Sequence, residues 1–288
     1  MKKLITIISL LIFINQIQLL AQSGWTKPRG EGFFQLSYLF FESDQYFNLM
    51  GNQLTTNTFQ QQSIILYGEY GITKNFTLIT NFPIHTFNKF ESTETASGIG
   101  DLRLEIKYAL PVNFPLSVSI APELPTAKAN NFAQNKQNSF DRINLPAGDG
   151  EFNVWTTIAA SKSLNDIPFY SSVFASYNYR TSYNEIDFSD QFRIGAEIGY
   201  KIANKVWLNA RINGLKSVRE VEIATDFVRG DGAEFTTVGL GLLVPLKNNW
   251  GINLNYTSGN DWIFKKKNIY AAGIFGMGII YELKNDLK

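Results

Sequence analysis

The stretch that decides the fold runs from residue 101 to residue 108 and reads Asp101-Leu102-Arg103-Leu104-Glu105-Ile106-Lys107-Tyr108. Four ionisable residues alternate with four apolar ones without a break. Because successive side chains of a strand point to opposite faces, one face is apolar and the other carries charges of alternating sign. The pattern is typical of two structures: a soluble sheet with one wet face, and a transmembrane barrel strand that is apolar toward lipid and charged toward the lumen.

The composition of the 288 residues favours the membrane alternative. Charged residues make up 18% of the chain, below the roughly 25% that is usual in soluble domains. Aromatic residues make up 14%, and no long apolar run follows the amino terminus, which excludes a helical membrane span. The sequence has no cysteine, which excludes disulfides, thiolate metal sites, cysteine nucleophiles and a lipid-modified amino-terminal cysteine.

The first 21 residues are typical of a secretory signal peptide. Lys2 and Lys3 precede an apolar run at 4–14, and Ala21 stands at a cleavage position. An uncleaved membrane anchor is the alternative. Removing these two lysines from the 26 basic residues leaves 24 against 25 acidic ones, a formal net charge of −1, so nucleic acid is not an expected partner. We therefore predict an exported chain in which residues 22–288 form one domain.

Alternation with a period of two recurs along the chain and predicts twelve strands. The predicted strands are 33–42, 62–71, 76–85, 101–108, 116–122, 152–164, 169–180, 191–201, 206–215, 235–246, 250–257 and 269–283. A polar stretch at 43–60 is predicted to be a loop, and the segment 123–150 has no strand pattern.

The connections between these strands alternate between short turns and longer loops, which is the habit of bacterial outer-membrane barrels. The connections of a β-sandwich are not expected to alternate in length in this way. Aromatic residues also gather at the short turns, as expected of rings at a membrane boundary. These rings are Tyr70, Phe76, Tyr108, Phe114, Phe169, Tyr200, Trp250 and Tyr281. The prediction is an all-β fold: a single twelve-stranded antiparallel transmembrane barrel in the bacterial outer membrane, with both termini periplasmic. A soluble all-β exported protein is the alternative.

Three segments carry a resemblance to a known family. Residues 100–108 read Gly-Asp-Leu-Arg-Leu-Glu-Ile-Lys-Tyr, residues 122–126 read Pro-Glu-Leu-Pro-Thr, and residues 148–154 read Gly-Asp-Gly-Glu-Phe-Asn-Val. They resemble the Gly-Asp-x-x-Leu-x-x-Lys-Tyr, Leu-Pro-Thr-Gly and Gly-x-Gly-x-x-x-Val motifs of the outer-membrane proteins grouped as phenol-degradation meta-pathway proteins. Ala127 departs from the family glycine, and the chain ends on a polar tail rather than an aromatic residue. The resemblance implies a barrel that passes small, often apolar or aromatic compounds.

The inward-facing charges are the residues that we expect to carry function. The predicted lumen-lining residues are Glu69, Arg103, Glu105, Lys107, Arg193, Glu197, Lys201 and Arg211. One interpretation is a lumen filled by mutually neutralising pairs; the other is an eyelet with both signs that orients a small polar or amphipathic solute. Barrels of eight strands are filled by side chains and barrels of sixteen or more leave a wide pore, so twelve strands predict a narrow channel. The segment 123–150 is long enough to fold inward and constrict it.

No catalytic, metal or cofactor site is predicted. An outer-membrane lipid hydrolase needs a histidine beside a serine on its outer wall, whereas alternation along 76–85 predicts that His85, the only histidine, faces the lumen. The pairs Gly98-x-Gly100 and Gly148-x-Gly150 lack the context of phosphate loops and predict strand-entry turns. The predicted function is a passive outer-membrane channel for small solutes, including apolar or aromatic ones, with membrane lipid around it. The alternative is a plugged structural or surface barrel whose outer loops bind a partner.

Overall fold

Sixteen antiparallel strands make up the regular structure of this protein, in a computed structural model that describes residues 22–164, 167–185, 187–203, 205–219 and 231–285. The strands are β1 (Gly32–Phe47), β2 (Gln53–Gly71), β3 (Phe76–Phe90), β4 (Ala96–Gly98), β5 (Leu102–Ala109), β6 (Leu116–Leu124), β7 (Phe132–Gln134), β8 (Arg142–Asn144), β9 (Asn153–Ser163), β10 (Phe169–Arg180), β11 (Gln191–Ile202), β12 (Val206–Ser217), β13 (Glu234–Pro245), β14 (Trp250–Asn260), β15 (Ile269–Tyr270) and β16 (Ile274–Leu283). The predicted signal peptide, 1–21, lies outside the described residues. Within the described ranges, no helix is long and apolar enough to cross a membrane.

Twelve of the strands close into one barrel. Each of these strands pairs antiparallel with its neighbours along the chain, and β1 pairs with both β2 and β16, which removes the open edge. Closure matters in lipid because an unpaired backbone group there costs several kcal/mol. Of the four short strands, β4 pairs with β3, β15 pairs with β1, and β7 and β8 form a separate hairpin. The predicted twelve-stranded antiparallel barrel is confirmed.

The two ends of the barrel differ in their connections. The short connections β2–β3, β5–β6, β9–β10, β11–β12 and β13–β14 all lie at one end, together with the first and last described residues; we call this the turn end. The connections β1–β2, β3–β5, β6–β9, β10–β11, β12–β13 and β14–β16 lie at the other, which we call the loop end. The sorting follows the predicted alternation of short and long connections, except that β1 and β2 are joined by a short turn, 48–52.

Several predicted boundaries are wrong toward the loop end, where β3 and β14 extend past their predicted ends to Phe90 and Asn260. The stretch 43–60 is not a loop, because its Thr and Gln residues extend the pairing of β1 with β2 beyond a shift in register, with Gln45 opposite Thr55. The segment 123–150 contains β7 and β8. The last predicted strand divides into β15 and β16. The break faces a β-bulge in β1, where the Ser43 hydroxyl donates a hydrogen bond to the Ala271 carbonyl at 3.2 Å.

The outer wall of the barrel is apolar. Its outward side chains from the middle of the strands include Leu36, Leu66, Leu78, Ile106, Ile120, Ile158, Val173, Ile198, Leu240, Ile252 and Ile279, all exposed. Exposed rings border this belt at the turn end, where the Phe76 and Tyr108 rings are 4.8 Å apart and those of Trp250 and Tyr281 are 5.0 Å apart. A second band of exposed rings, absent from the sequence prediction, lies toward the loop end: Phe87, Tyr177, Tyr179, Phe192, Tyr256 and Phe275. An apolar belt between two aromatic bands is the surface that a bilayer requires.

Candidate functional site

The inner wall of the barrel is polar, because the pleat of each strand directs alternate side chains inward. On β5, Arg103, Glu105 and Lys107 are only 4%, 5% and 4% exposed, whereas Ile106 between them is 49% exposed on the outer wall. The neighbouring strands add short polar side chains to the interior: Gln35, Ser37, Ser63, Thr77, Ser117, Thr157, Ser172, Ser176, Asn213, Thr237, Asn253 and Asn255. The interior is therefore lined by hydrogen-bonding groups and by charges of both signs.

Two ion pairs join four of the predicted lumen residues. Arg211 Nη2 lies 3.1 Å from Glu197 Oε2, and the two residues are directly opposite each other on β12 and β11. The Tyr170 hydroxyl donates to the other Glu197 oxygen at 2.6 Å. On β5, Arg103 Nη2 lies 3.6 Å from Glu105 Oε2, within ion-pair distance but too far for a hydrogen bond. Both pairs are more than nine-tenths buried.

Glu69 and Lys201 lie near the turn end and are partly buried. The Glu69 carboxylate accepts a hydrogen bond from Tyr67 at 2.5 Å and lies 4.0 Å from Lys27 Nζ. Lys201 Nζ lies over the Trp207 ring, 5.7 Å from its centre. These two charges are therefore at the mouth of the barrel rather than at its middle.

Arg193 on β11 differs from the other buried arginines. Its side chain has no carboxylate within ion-pair distance and no hydrogen bond among the described residues; its guanidinium lies over the Phe174 ring, 5.5 Å from the centre. It is within electrostatic range of Arg103 and Arg211. The positive charges of Arg103 and Arg211 therefore act on Arg193 from neighbouring parts of the interior.

A vestibule of about 690 Å³ occupies the turn end. It is lined by the Glu197–Arg211 pair, by Lys201 and by rings that include Tyr170 and Trp207. The segment 22–29 crosses this mouth. Its Gly24 amide donates to the Ser161 hydroxyl at 2.8 Å, and the Trp25 ring meets the Tyr170 ring edge-on at 5.9 Å. The first described residues thus narrow the turn end from inside.

A second, inner cavity of about 100 Å³ lies deeper in the barrel. Arg103, Arg193, Asn178 and Trp155 line its polar side, and the opposite side is mostly apolar. Its apolar residues are Leu39, Phe41, Ile65, Leu215, Phe235 and Ile274, and the same strands add the polar side chains of Gln61, Ser63, Asn213 and Thr237. The inner cavity and the vestibule share no lining residue, and buried side chains such as Ser37 and Glu105 lie between them. The interior therefore holds two separate spaces.

The segment 125–150 closes the loop end by folding into the barrel. Leu145 is 2% exposed and belongs to an apolar cluster with Phe41, Phe59 and Phe90, which point inward from β1, β2 and β3. Pro146 accepts a hydrogen bond from the Asn88 amide at 2.8 Å. The residues that follow, 146–149, line the inner cavity. The segment is thus the lid of the inner cavity.

Buried acidic groups hold this lid in place. The Asp101 carboxylate accepts hydrogen bonds from the backbone N–H groups of Ala127 at 3.0 Å and of Asp149 at 3.3 Å, and burial raises the pKa of Asp101 to about 6. Arg180 Nε donates to Glu151 at 2.9 Å, and Arg180 Nη2 donates to Asp149 at 3.4 Å. Burial, with the charge of Glu151, raises the pKa of the Asp149 carboxyl well above its usual range.

The predicted position of His85 is wrong. Pro83 pairs with Ile65 and His85 with Ile64, so Ile84 is an extra residue that forms a β-bulge in β3. An extra residue reverses the alternation of the strand beyond it. Accordingly, Thr77 and Ile79 are buried before the bulge, and Thr86 is buried after it. His85 therefore faces the outer wall, where its ring lies 4.4 Å from the exposed Phe87 ring.

Three parts of the site were not predicted from the sequence. The Asp149–Glu151–Arg180 cluster lies in a stretch with no strand pattern and at the end of a strand of mostly uncharged residues, so no charge alternation marked it. Trp155 was also missed, although the inward set Asn153, Trp155 and Thr157 follows directly from the alternation of β9. The role of segment 22–29 depends on contacts between residues far apart in the chain and has no sequence signal.

The fold is similar to that of two solved outer-membrane barrels. An outer-membrane channel from Pseudomonas putida F1 superposes with a TM-score of 0.65 at 14% sequence identity, over 92% of this chain and 100% of that one. The translocator domain of the autotransporter NalP from Neisseria meningitidis gives a TM-score of 0.53 at 10% identity, over 89% and 90% of the two chains. No family model and no curated protein matches the sequence. The similarity shows an outer-membrane β-barrel fold, and the resemblance to the meta-pathway family stays a prediction.

Proposed function

We propose that this protein is a passive channel for small solutes in the bacterial outer membrane, exported with residues 1–21 as its signal peptide. One observation carries the proposal: charges of both signs line a vestibule and an inner cavity inside a barrel whose outer wall is apolar. A barrel that served only as a scaffold would need no open space beside buried charges, which are costly to hold away from water. The solutes that we propose are small and include apolar or aromatic compounds.

In the proposed route a solute passes between the loop end and the turn end through the two spaces in turn. The Arg103–Glu105 and Glu197–Arg211 pairs place opposite charges side by side in a low-dielectric interior, where their field orients a dipolar solute. Glu69 and Lys201 act at the turn-end mouth, and Lys107 and Arg193 complete the charged lining. The lid and segment 22–29 must move for a continuous path, so we expect brief rather than steady opening.

Single-channel conductance of the refolded chain without residues 1–21, in a planar bilayer, tests the channel. We expect discrete current steps whose preference shifts toward cations when Arg103 or Arg211 is replaced by Gln, because each change removes a positive charge from the route. Lys247→Gln is the matched control, because Lys247 is exposed in the turn between β13 and β14. Silence from a folded, inserted barrel would count against the channel, as would equal shifts in the control.

A plugged barrel whose outer loops bind a partner is the second candidate function. The observation that favours it is the lid: Leu145 and its aromatic neighbours fill the loop end, and the two interior spaces do not meet. Phe132 and Phe140 are exposed on this same segment, at 58% and 94%, which suits contact with another surface. A folded barrel that stays silent even after deletion of residues 128–142 would favour this function over the channel.

A further inference from the structure

The inner cavity has an apolar side and a side that carries two arginines. Its apolar side is formed by side chains such as Ile65, Leu215 and Ile274. Its other side carries Arg103 and Arg193, each with an aromatic ring beneath it: Trp155 lies 5.1 Å from the Arg103 guanidinium, and Phe174 lies 5.5 Å from that of Arg193. A solute that satisfies both walls has an apolar body and an acceptor group.

Unused hydrogen-bond donors mark where the acceptor group would lie. The Nε and Nη2 atoms of Arg103 are buried without a hydrogen-bond acceptor, since Glu105 is 3.6 Å away. Arg193 is 9% exposed and has neither an ion pair nor a side-chain hydrogen bond among the described residues. Buried donors without acceptors are costly, and a guanidinium matches a carboxylate through two parallel hydrogen bonds. A bound carboxylate would supply the missing acceptors.

The acidic groups of the cavity are already engaged elsewhere. Asp101 accepts backbone N–H groups of the lid, Glu123 accepts the Asn153 amide at 3.0 Å, and Asp149 is held by Arg180. The raised pKa of Asp149 further reduces the negative charge on this side. Among the described residues Arg193 therefore has no counter-ion, and Arg103, whose partner Glu105 is 3.6 Å away, keeps N–H donors that a ligand can use.

We propose that the inner cavity binds a short-chain aliphatic monocarboxylate, with its carboxylate between Arg103 and Arg193 and its alkyl chain against the apolar side chains. The size follows from the volume: the cavity holds about 100 Å³, less than the roughly 150 Å³ of an apolar cavity that binds benzene in another protein, so a short alkyl chain fits where a ring does not. This inference deepens the proposed channel by naming its solute class and rests on that function. The acceptor could also be an inorganic anion, which the experiment below separates.

Isothermal titration calorimetry on the folded chain in detergent tests the assignment. The probes are propionate, butyrate and propionamide, a neutral molecule of the same size as propionate. We expect the two carboxylates to bind and propionamide to bind at least about tenfold more weakly, because it lacks the charge that the guanidinium groups recognise. Equal binding of propionamide would overturn the assignment of a carboxylate. Chloride or phosphate that binds as tightly as propionate would overturn the assignment of an apolar chain.

Substitutions at Arg193 test where the carboxylate binds. Arg193→Gln is expected to weaken propionate binding about tenfold or more, and Arg193→Lys, which keeps the charge but not the forked donor, to weaken it less. Arg142→Gln, at an exposed arginine of β8, is the matched control and is expected to change nothing. The mobility shift of the folded barrel on unheated gels confirms folding of each variant. Unchanged binding by folded Arg193→Gln would overturn the proposal.

The bilayer experiment keeps this proposal separate from the channel itself. Current steps without propionate binding would leave the channel intact and reject the carboxylate site. Propionate binding by a silent, inserted barrel would support the site and count against passage through it.

Discussion

Glu197 and Arg211 face each other across β11 and β12, with their nearest charged atoms 3.1 Å apart inside the barrel. Both side chains are more than nine-tenths buried, and Glu197 also accepts a hydrogen bond from Tyr170. At such a site each charge depends on the other, because an unpaired charge would be left away from water. The same two residues therefore stabilise the barrel wall and supply charges to the lining of the vestibule.

Replacing Arg211 with Gln is expected to destabilise the barrel by about 3–5 kcal/mol, because Glu197 stays buried without its cation. Adding Glu197→Gln to the same chain should recover part of this loss. The free energy of unfolding of the single and the double variant is measured in detergent, with tryptophan fluorescence as the signal. Asp261→Asn is the control: its carboxylate is 53% exposed beside Lys266, and exposed pairs contribute about 0–1 kcal/mol. A double variant no more stable than Arg211→Gln alone would contradict this coupling.

Leu145→Ala is expected to loosen the lid of the inner cavity. The change leaves a hole beside Phe59 and Phe90, at a cost of about 2–5 kcal/mol to the packing that holds segment 125–150 in the barrel. In bilayers the variant should open more often than the parent chain. Phe140→Ala, at a residue of the same segment that is 94% exposed, is the control and should behave like the parent. Equal opening in all three chains would show that the lid does not limit passage.

Asp101 is expected to make stability depend on pH. Its pKa in the folded protein, about 6, lies above the ordinary value of 3.8, so the folded state holds this proton more tightly than the unfolded state does. The resulting stabilisation is complete below pH 3.8 and is lost as the pH rises through 6, a change of about 2–3 kcal/mol.

Asp101→Asn removes this titration, because the amide is neutral throughout. The stability of the parent chain relative to the variant should therefore fall between pH 4 and pH 7, as measured by thermal unfolding in detergent at several pH values. Parallel curves for the two chains over this range would refute the assignment to Asp101.

Gly24→Ala is expected to displace segment 22–29 from the turn-end mouth. A Cβ atom at residue 24 would lie 2.2 Å from the Pro115 carbonyl oxygen and 2.9 Å from the Ser161 nitrogen, and both are backbone atoms that cannot turn aside. The vestibule should then be wider and the conductance of each open channel larger. Gly98→Ala is the control, since its Cβ would meet its nearest neighbour at 3.9 Å. An unchanged conductance in Gly24→Ala would mean that the segment does not narrow the route.

The sequence by itself determined which residues line the inner and outer faces of the barrel wall. Alternation with a period of two is a local property of the chain, so Arg103, Glu105 and Lys107 share one face of β5 wherever that strand lies. The order of short and long connections then predicted the closed antiparallel sheet. Strand ends were less predictable, because polar residues such as Gln45 and Thr55 extend a ladder only when a partner strand is present.

Only the tertiary structure decided what fills the barrel. Three features of the interior join residues that are distant in the chain: the packing of Leu145 inside the barrel, the hydrogen bond from Arg180 to Glu151, and the position of segment 22–29 across the mouth. No local periodicity of the sequence encodes such contacts. The side that His85 faces was decided in the same way, because one bulged residue reverses a strand's alternation. Local periodicity thus fixes which residues share a face, whereas long-range packing fixes which of them meet around the inner cavity.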